Sequence, residues 1–146
     1  MKIIFSVLIF FTTTLTFGQD KCLFPKNKLT EFFEKYKVIH SDIAQKISAC
    51  SEGKVLSPNN EKNIFVEYQQ LKNYYFSFIP RIFQKHNNCF SIKHDFSHIS
   101  NISFHFLEKS IFSLMQFCHN ELTSDKKIKK FILNHCKECN WINHVQ

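Results

Sequence analysis

Beyond residue 18 the 146-residue chain contains a single glycine, Gly53, and three prolines, Pro25, Pro58 and Pro80. Sandwiches and barrels reverse direction often, and their turns draw on glycine for left-handed backbone and on proline for a preset φ. A chain that nearly lacks both has few places to turn. It is expected to fold as a few long helices, an all-α class.

The apolar residues carry the matching period. Leu29, Phe32, Phe33, Tyr36, Ile39, Ile43 and Ile47 recur every three or four positions, which places them on one face of a helix. Glu31, Lys35, Asp42 and Gln45 fall largely on the other side. Pro25 suits the start of this helix, where a missing N–H costs nothing. The stretch "SACSEGKVLSPNN" has no such period and reads as a first long connection, with Ser57 and Pro58 as cap and first residue of the next helix. Ile64, Tyr68, Leu71, Tyr75, Ile79 and Ile82 then form a second stripe, which Pro80 is expected to kink or end. A polar connection, "KHNNCFSIKHD", leads to a third helix over residues 96–119. Its wide apolar face comprises Ile99, Ile102, Phe106, Leu107, Ile111, Leu114 and Cys118. A short fourth helix, capped by Thr123 or Ser124 and with Asp125 in its first turn, aligns Ile128, Phe131, Ile132 and His135. Trp141, Ile142 and Val145 predict a packed tail. The many phenylalanines, 14 beyond residue 18, read as core, because aromatics at helical spacing fill interiors.

The opening "MKIIFSVLIFFTTTLTFG" has a lysine, an apolar run over residues 3–11, and small residues Thr16 and Gly18 ahead of Gln19. That is the pattern of a secretory signal peptide over residues 1–18, leaving residues 19–146 as one domain. The apolar run is shorter than the roughly 20 residues a membrane-spanning helix needs, so no transmembrane segment is expected. The compartment decides how the cysteines are read. All six lie beyond the leader, and an even number in an oxidising route favours disulfides, joining Cys22, Cys50, Cys89, Cys118, Cys136 and Cys139 in a pattern the spacing does not choose. Cys136 and Cys139 as a redox pair would need a helix start and a βαβ setting, and neither is present. As zinc ligands with His119, His135 or His144 they lack a second Cys-x2-Cys. "HDFSH", with His94 and His98, differs from the zinc-protease motif by aspartate for glutamate, and no catalytic role is assigned to it. No enzymatic activity and no cofactor are expected.

The net charge is +7. The one dense run of positive charge is Lys126, Lys127, Lys129 and Lys130. It reads either as a solvated helix face or as a surface for acidic partners such as glycosaminoglycans. No nucleic-acid partner is expected. Asn101-Ile102-Ser103 is a glycosylation sequon, which requires Asn101 to face solvent if it is used.

The order of these features resembles the class II helical cytokines, the type I interferons and the interleukin-10 group. A cysteine near the start in "CLFP", one after the first helix, one at the end of a central helix (Cys118, followed by His119) and one ahead of a tryptophan in "KKFILNHCKECNW" carry the resemblance. It departs from the family in the short spacing from Cys118 to Cys139 and in the short tail, as in a divergent or truncated member. The resemblance implies a four-helix bundle with long crossover connections, and Cys22–Cys118 and Cys50–Cys139 bridges, which leave Cys89 with Cys136. It also implies a secreted ligand that bridges two cell-surface receptor chains. Candidate contacts are Glu31, Lys35 and Asp42 on the first helix, Lys54 in the connection, and Lys126, Lys127 and Lys130. The alternatives are a short-chain class I cytokine resembling interleukin-4, and a secreted helical lipid carrier or membrane-active protein.

Overall fold

A computed structural model describes residues 26–85 and 89–144. Among these residues the chain forms four α-helices and no strand: α1 (Lys26–Ser51), α2 (Pro58–Lys85), α3 (Phe90–Cys118) and α4 (Asp125–His135). A 3-10 turn follows at Asn140–His144. The leader, Cys22, Pro25 and Val145 lie outside the described residues.

Local chemistry sets several boundaries. α1 stops where Gly53 takes φ +77°, a conformation that a side chain would strain. There the Gly53 and Lys54 amides donate to the carbonyls of Cys50 and Ala49, each at 3.0 Å. Ser57 caps α2 by accepting from the Asn60 amide at 3.3 Å, and Pro58 is the first helical residue. Ser124 caps α4 by accepting from the Lys127 amide at 3.5 Å.

Pro80 does not end α2, which continues to Lys85. The proline is exposed, and so is Phe76, whose carbonyl loses its helical donor. Water can take that place while Ile79 and Phe83 remain buried on the core side.

The long crossovers expected from the resemblance are not there. Residues 52–57 join α1 to α2, α3 begins five positions after α2 ends, and residues 119–124 join α3 to α4. α3 begins at Phe90 rather than near residue 96, because Cys89 and Phe96 are buried and Ile92 packs on the core, which extends the helix through the expected loop. Short links force sequential helices to run antiparallel. Phe32 near the start of α1 meets Tyr75 late in α2, and Phe83 near the end of α2 meets Phe96 early in α3. α1 and α3 consequently run the same way, with Phe32 against Phe96 and Phe104.

That parallel pair decides the cystine pattern. The carboxyl ends of α1 and α3 coincide, and Cys50 bonds Cys118 across a Cα separation of 5.4 Å. Cys136 ends α4, its amide bonded to the Ile132 carbonyl, and a turn closed by the Cys139 amide on the Cys136 carbonyl folds the chain back. Cys136 bonds Cys139 there. Cys89 is disulfide-bonded as well. The implied bridges Cys22–Cys118, Cys50–Cys139 and Cys89–Cys136 therefore do not form.

The interior is filled by rings. Phe32 is fully buried and touches Phe33, Tyr75, Phe96 and Phe104 at centroid distances of 5.2–5.7 Å, mostly edge to face. Tyr68, also fully buried, meets Phe104 and Trp141. The 3-10 turn carries Trp141 into this core, its amide held by Gln69 Oε1 at 3.2 Å. α4 seals the same end with Ile128 and Ile132. The stripes expected on α1 and α2 are inside, with Phe33, Ile47 and Ile82 half-buried. On α3 the expectation fails at two places. Ile102 is 57 % exposed and Phe106 47 % exposed, while Phe96, Ser100 and Phe104 are buried instead. α3 is apolar on most sides, so its period does not choose a face; contact with α1 and the aromatic cluster does.

Candidate functional site

The charged residues expected to serve recognition are distributed unevenly over this scaffold. Glu31, Lys35 and Asp42 follow one another along α1 and border its seam with α2. At the upper end of that seam Glu31 Oε2 accepts from Lys28 Nζ at 3.1 Å and from the Tyr74 hydroxyl at 2.9 Å. The Lys28 contact first, and the Tyr74 bond second, hold the Glu31 carboxyl below the usual carboxylate range. Burial, and then the bond to Glu31, push the Tyr74 phenol up. Lys35 Nζ stands 5.7 Å from the centre of the Tyr74 ring, a cation–π distance. Phe78 stacks on Tyr74 at 5.3 Å, yet remains 51 % exposed. One turn further lies exposed Arg81, the sole arginine of the chain.

Below this cluster the seam opens into a groove of about 580 Å³ bordered by Val38, Asp42, Lys46, Asn63 and Glu67. Asp42 forms an ion pair with Lys46. Burial, and next the charge of Asp42, raise the Glu67 carboxyl. The seam thus combines aromatic side chains with partly shielded charge of both signs.

The remaining candidates sit elsewhere. Lys54 is exposed just after the Gly53 turn and pairs with Glu52 at 2.7 Å. Lys126, Lys127 and Lys130 are exposed on α4, which packs on α2 and α3. Asn101 is exposed on α3, as its sequon requires.

No family model, curated protein or solved structure matches this chain.

Two interior polar groups tie helices together. Tyr68 donates to Glu108 Oε1 at 2.6 Å, and Lys72 Nζ meets the same oxygen at 2.9 Å, which joins α2 to α3. Burial is the main cause that drives the Tyr68 phenol strongly upward. Glu61, 2 % exposed, lies 2.5 Å from His119 Nε2. His119 also packs on Phe131, which stacks on His135. Burial removes Glu61 from any substrate, so the pair is a tie between α2 and the α3–α4 turn. Cys136 and Cys139 occupy each other's sulfurs, so a zinc set built on them does not exist. His94 and His98 fall on exposed helix, and no group of three or more metal-binding side chains is found among the described residues.

Sequence reasoning missed Tyr74, Phe78 and Arg81. Their spacing, one helical turn at a time along a stripe beside the core stripe, was the available signal. The seam, which needs α1 beside α2, was not visible in it.

Proposed function

We propose that this chain is a secreted helical ligand, recognised at a cell surface through the α1–α2 seam, and that it acts by binding without catalysis. The observation that carries the proposal is the Tyr74–Phe78 stack. It leaves Phe78 half exposed, with Lys35 over the Tyr74 ring and exposed Arg81 about one helical turn further along α2. Binding energy at protein interfaces concentrates in a few tyrosine, tryptophan and arginine anchors ringed by polar groups, and this cluster has that make-up. The leader-like start and the bonded cysteines support an extracellular setting. The ring-filled interior supports a ligand over the lipid carrier, since a carrier needs empty apolar volume. No helix among the described residues is long and apolar enough to cross a membrane. The bridging of two receptor chains would use this seam for one chain and a second face for the other. The cystine pattern and short links differ from those the interferon resemblance implies, so the proposal concerns a helical ligand without that framework.

The test is expression of the full chain in cultured eukaryotic cells, followed by binding of the labelled product to a panel of cell types. Secretion and saturable binding are expected, with Phe78→Ala and Arg81→Ala each weakening binding by about 30-fold, as for loss of a 2 kcal/mol anchor. Retention inside the producing cell, or binding indifferent to both substitutions, would overturn the reading.

A further inference from the structure

Six lysines of this fold are neutralised by neighbouring carboxylates. Lys28, Lys37, Lys46, Lys54, Lys62 and Lys72 pair with Glu31, Glu34, Asp42, Glu52, Glu138 and Glu108. On α4 three lysines without a carboxylate partner fall within five residues. Lys126 and Lys130 are exposed and have no acidic partner among the described residues. Lys127 Nζ reaches only uncharged oxygens, the Glu121 carbonyl at 3.1 Å and Thr123 Oγ1 at 3.2 Å.

The placement works against the helix. Lys126 and Lys127 directly follow Asp125 in the first turn of α4, where the helix dipole disfavours cations. Lys126 and Lys130 are four apart and Lys127 and Lys130 three apart, so they repel on a shared face. A bound polyanion would remove both penalties together. The opposite side of the helix, Ile128 and Ile132, is fully buried in the bundle. The exposed face carries a single exposed apolar side chain, Leu133, 36 % exposed beside its lysines, which is less than the apolar wedge that an interfacial membrane helix inserts.

We infer that the lysine face of α4 binds a sulfated glycosaminoglycan chain. A linear polyanion fits a row of lysines along a helix through charge alone, and short lysine-rich segments serve this purpose. The inference rests on the extracellular reading above for its setting, but its test does not, because it uses purified protein. The α1–α2 seam lies on a different helix pair and stays available to a protein partner.

The purified, oxidised protein is applied to immobilised heparin and eluted with sodium chloride. It is expected to be retained at physiological ionic strength, about 0.15 M. The triple variant Lys126→Gln, Lys127→Gln, Lys130→Gln should elute earlier. At fixed salt its affinity should fall on the order of 100-fold, as expected when each lysine near an anionic surface contributes roughly fivefold. Its affinity should also depend less steeply on salt, since fewer counterions are released. A second triple, Lys85→Gln, Lys93→Gln, Lys109→Gln, removes the same charge from exposed sites on α2 and α3 and should elute with the parent. Far-ultraviolet circular dichroism checks that both variants fold. Equal shifts of the two triples, or passage of the parent at physiological salt, would overturn the inference. Tighter capture by phosphatidylserine vesicles than by heparin would do so too, in favour of a membrane surface.

Discussion

Replacing both members of the Cys50–Cys118 bridge with alanine tests the energetic logic of the fold. The bridge closes a sequence separation of 68 residues. In the chain-entropy model a loop of that length costs the denatured chain about 15 cal/mol/K, or about 4 kcal/mol at room temperature. Domains of this kind have a total stability of about 5–15 kcal/mol, so the loss is a large share of it. Urea unfolding of parent and variant, followed by tryptophan fluorescence of buried Trp141, measures the difference. If the bridge acts by restricting the unfolded chain, three results are expected together. Stability falls by about 4 kcal/mol. The denaturant slope rises, because the released chain exposes more surface. Refolding slows more than unfolding accelerates, because the native contacts are nearly unchanged. A loss under about 1 kcal/mol with an unchanged slope would refute the reasoning. It would mean that the unfolded chain already holds those ends together, as residual structure can.

Three further outcomes follow. Phe32→Ala, which empties a fully buried site touching four rings, should cost about 3–5 kcal/mol in the same urea assay. Glu108→Ala leaves Tyr68 and Lys72 without their shared acceptor and should cost about 2–4 kcal/mol, with strong coupling to Lys72→Met in a double-mutant cycle. Tyr36, Tyr68 and Tyr74 have phenols raised above the ordinary 10.0 by burial, helped in the last two by a carboxylate. Raised pKa values in the native state add stability below pH 10 that fades as pH climbs past it. The near-ultraviolet phenolate signal of these tyrosines should therefore lag a free tyrosine and appear together with alkaline unfolding. A normal titration of these three in the folded protein would contradict their burial.

Helix content and most of the core were readable because they depend on local rules. Scarce glycine forbids frequent turns, and the stripes on α1 and α2 have a single apolar side, so period alone names Phe32, Ile39, Tyr68 and Tyr75 as interior. Ser57, Gly53 and Ser124 act through bonds to amides or carbonyls a few residues away, and their roles too can be read along the chain. α3 shows the limit. With apolar residues on most sides, Ile102 and Phe104 are equivalent by period, and only the neighbours α1 and α2 made Phe104 buried and Ile102 exposed. The bridges are a second limit. Cys50 and Cys118 meet because short links turned α1 and α3 parallel, a fact of topology that no spacing between cysteines contains. The candidate seam follows the same division: Glu31 and Lys35 were evident on the solvent face of one helix, while Tyr74, Phe78 and Arg81 joined them only when α2 packed alongside. Sequence determined which surfaces each helix would hide, since hydrophobic period is a property of one helix. Tertiary structure decided which surfaces meet, since contact between distant residues is a property of the whole arrangement.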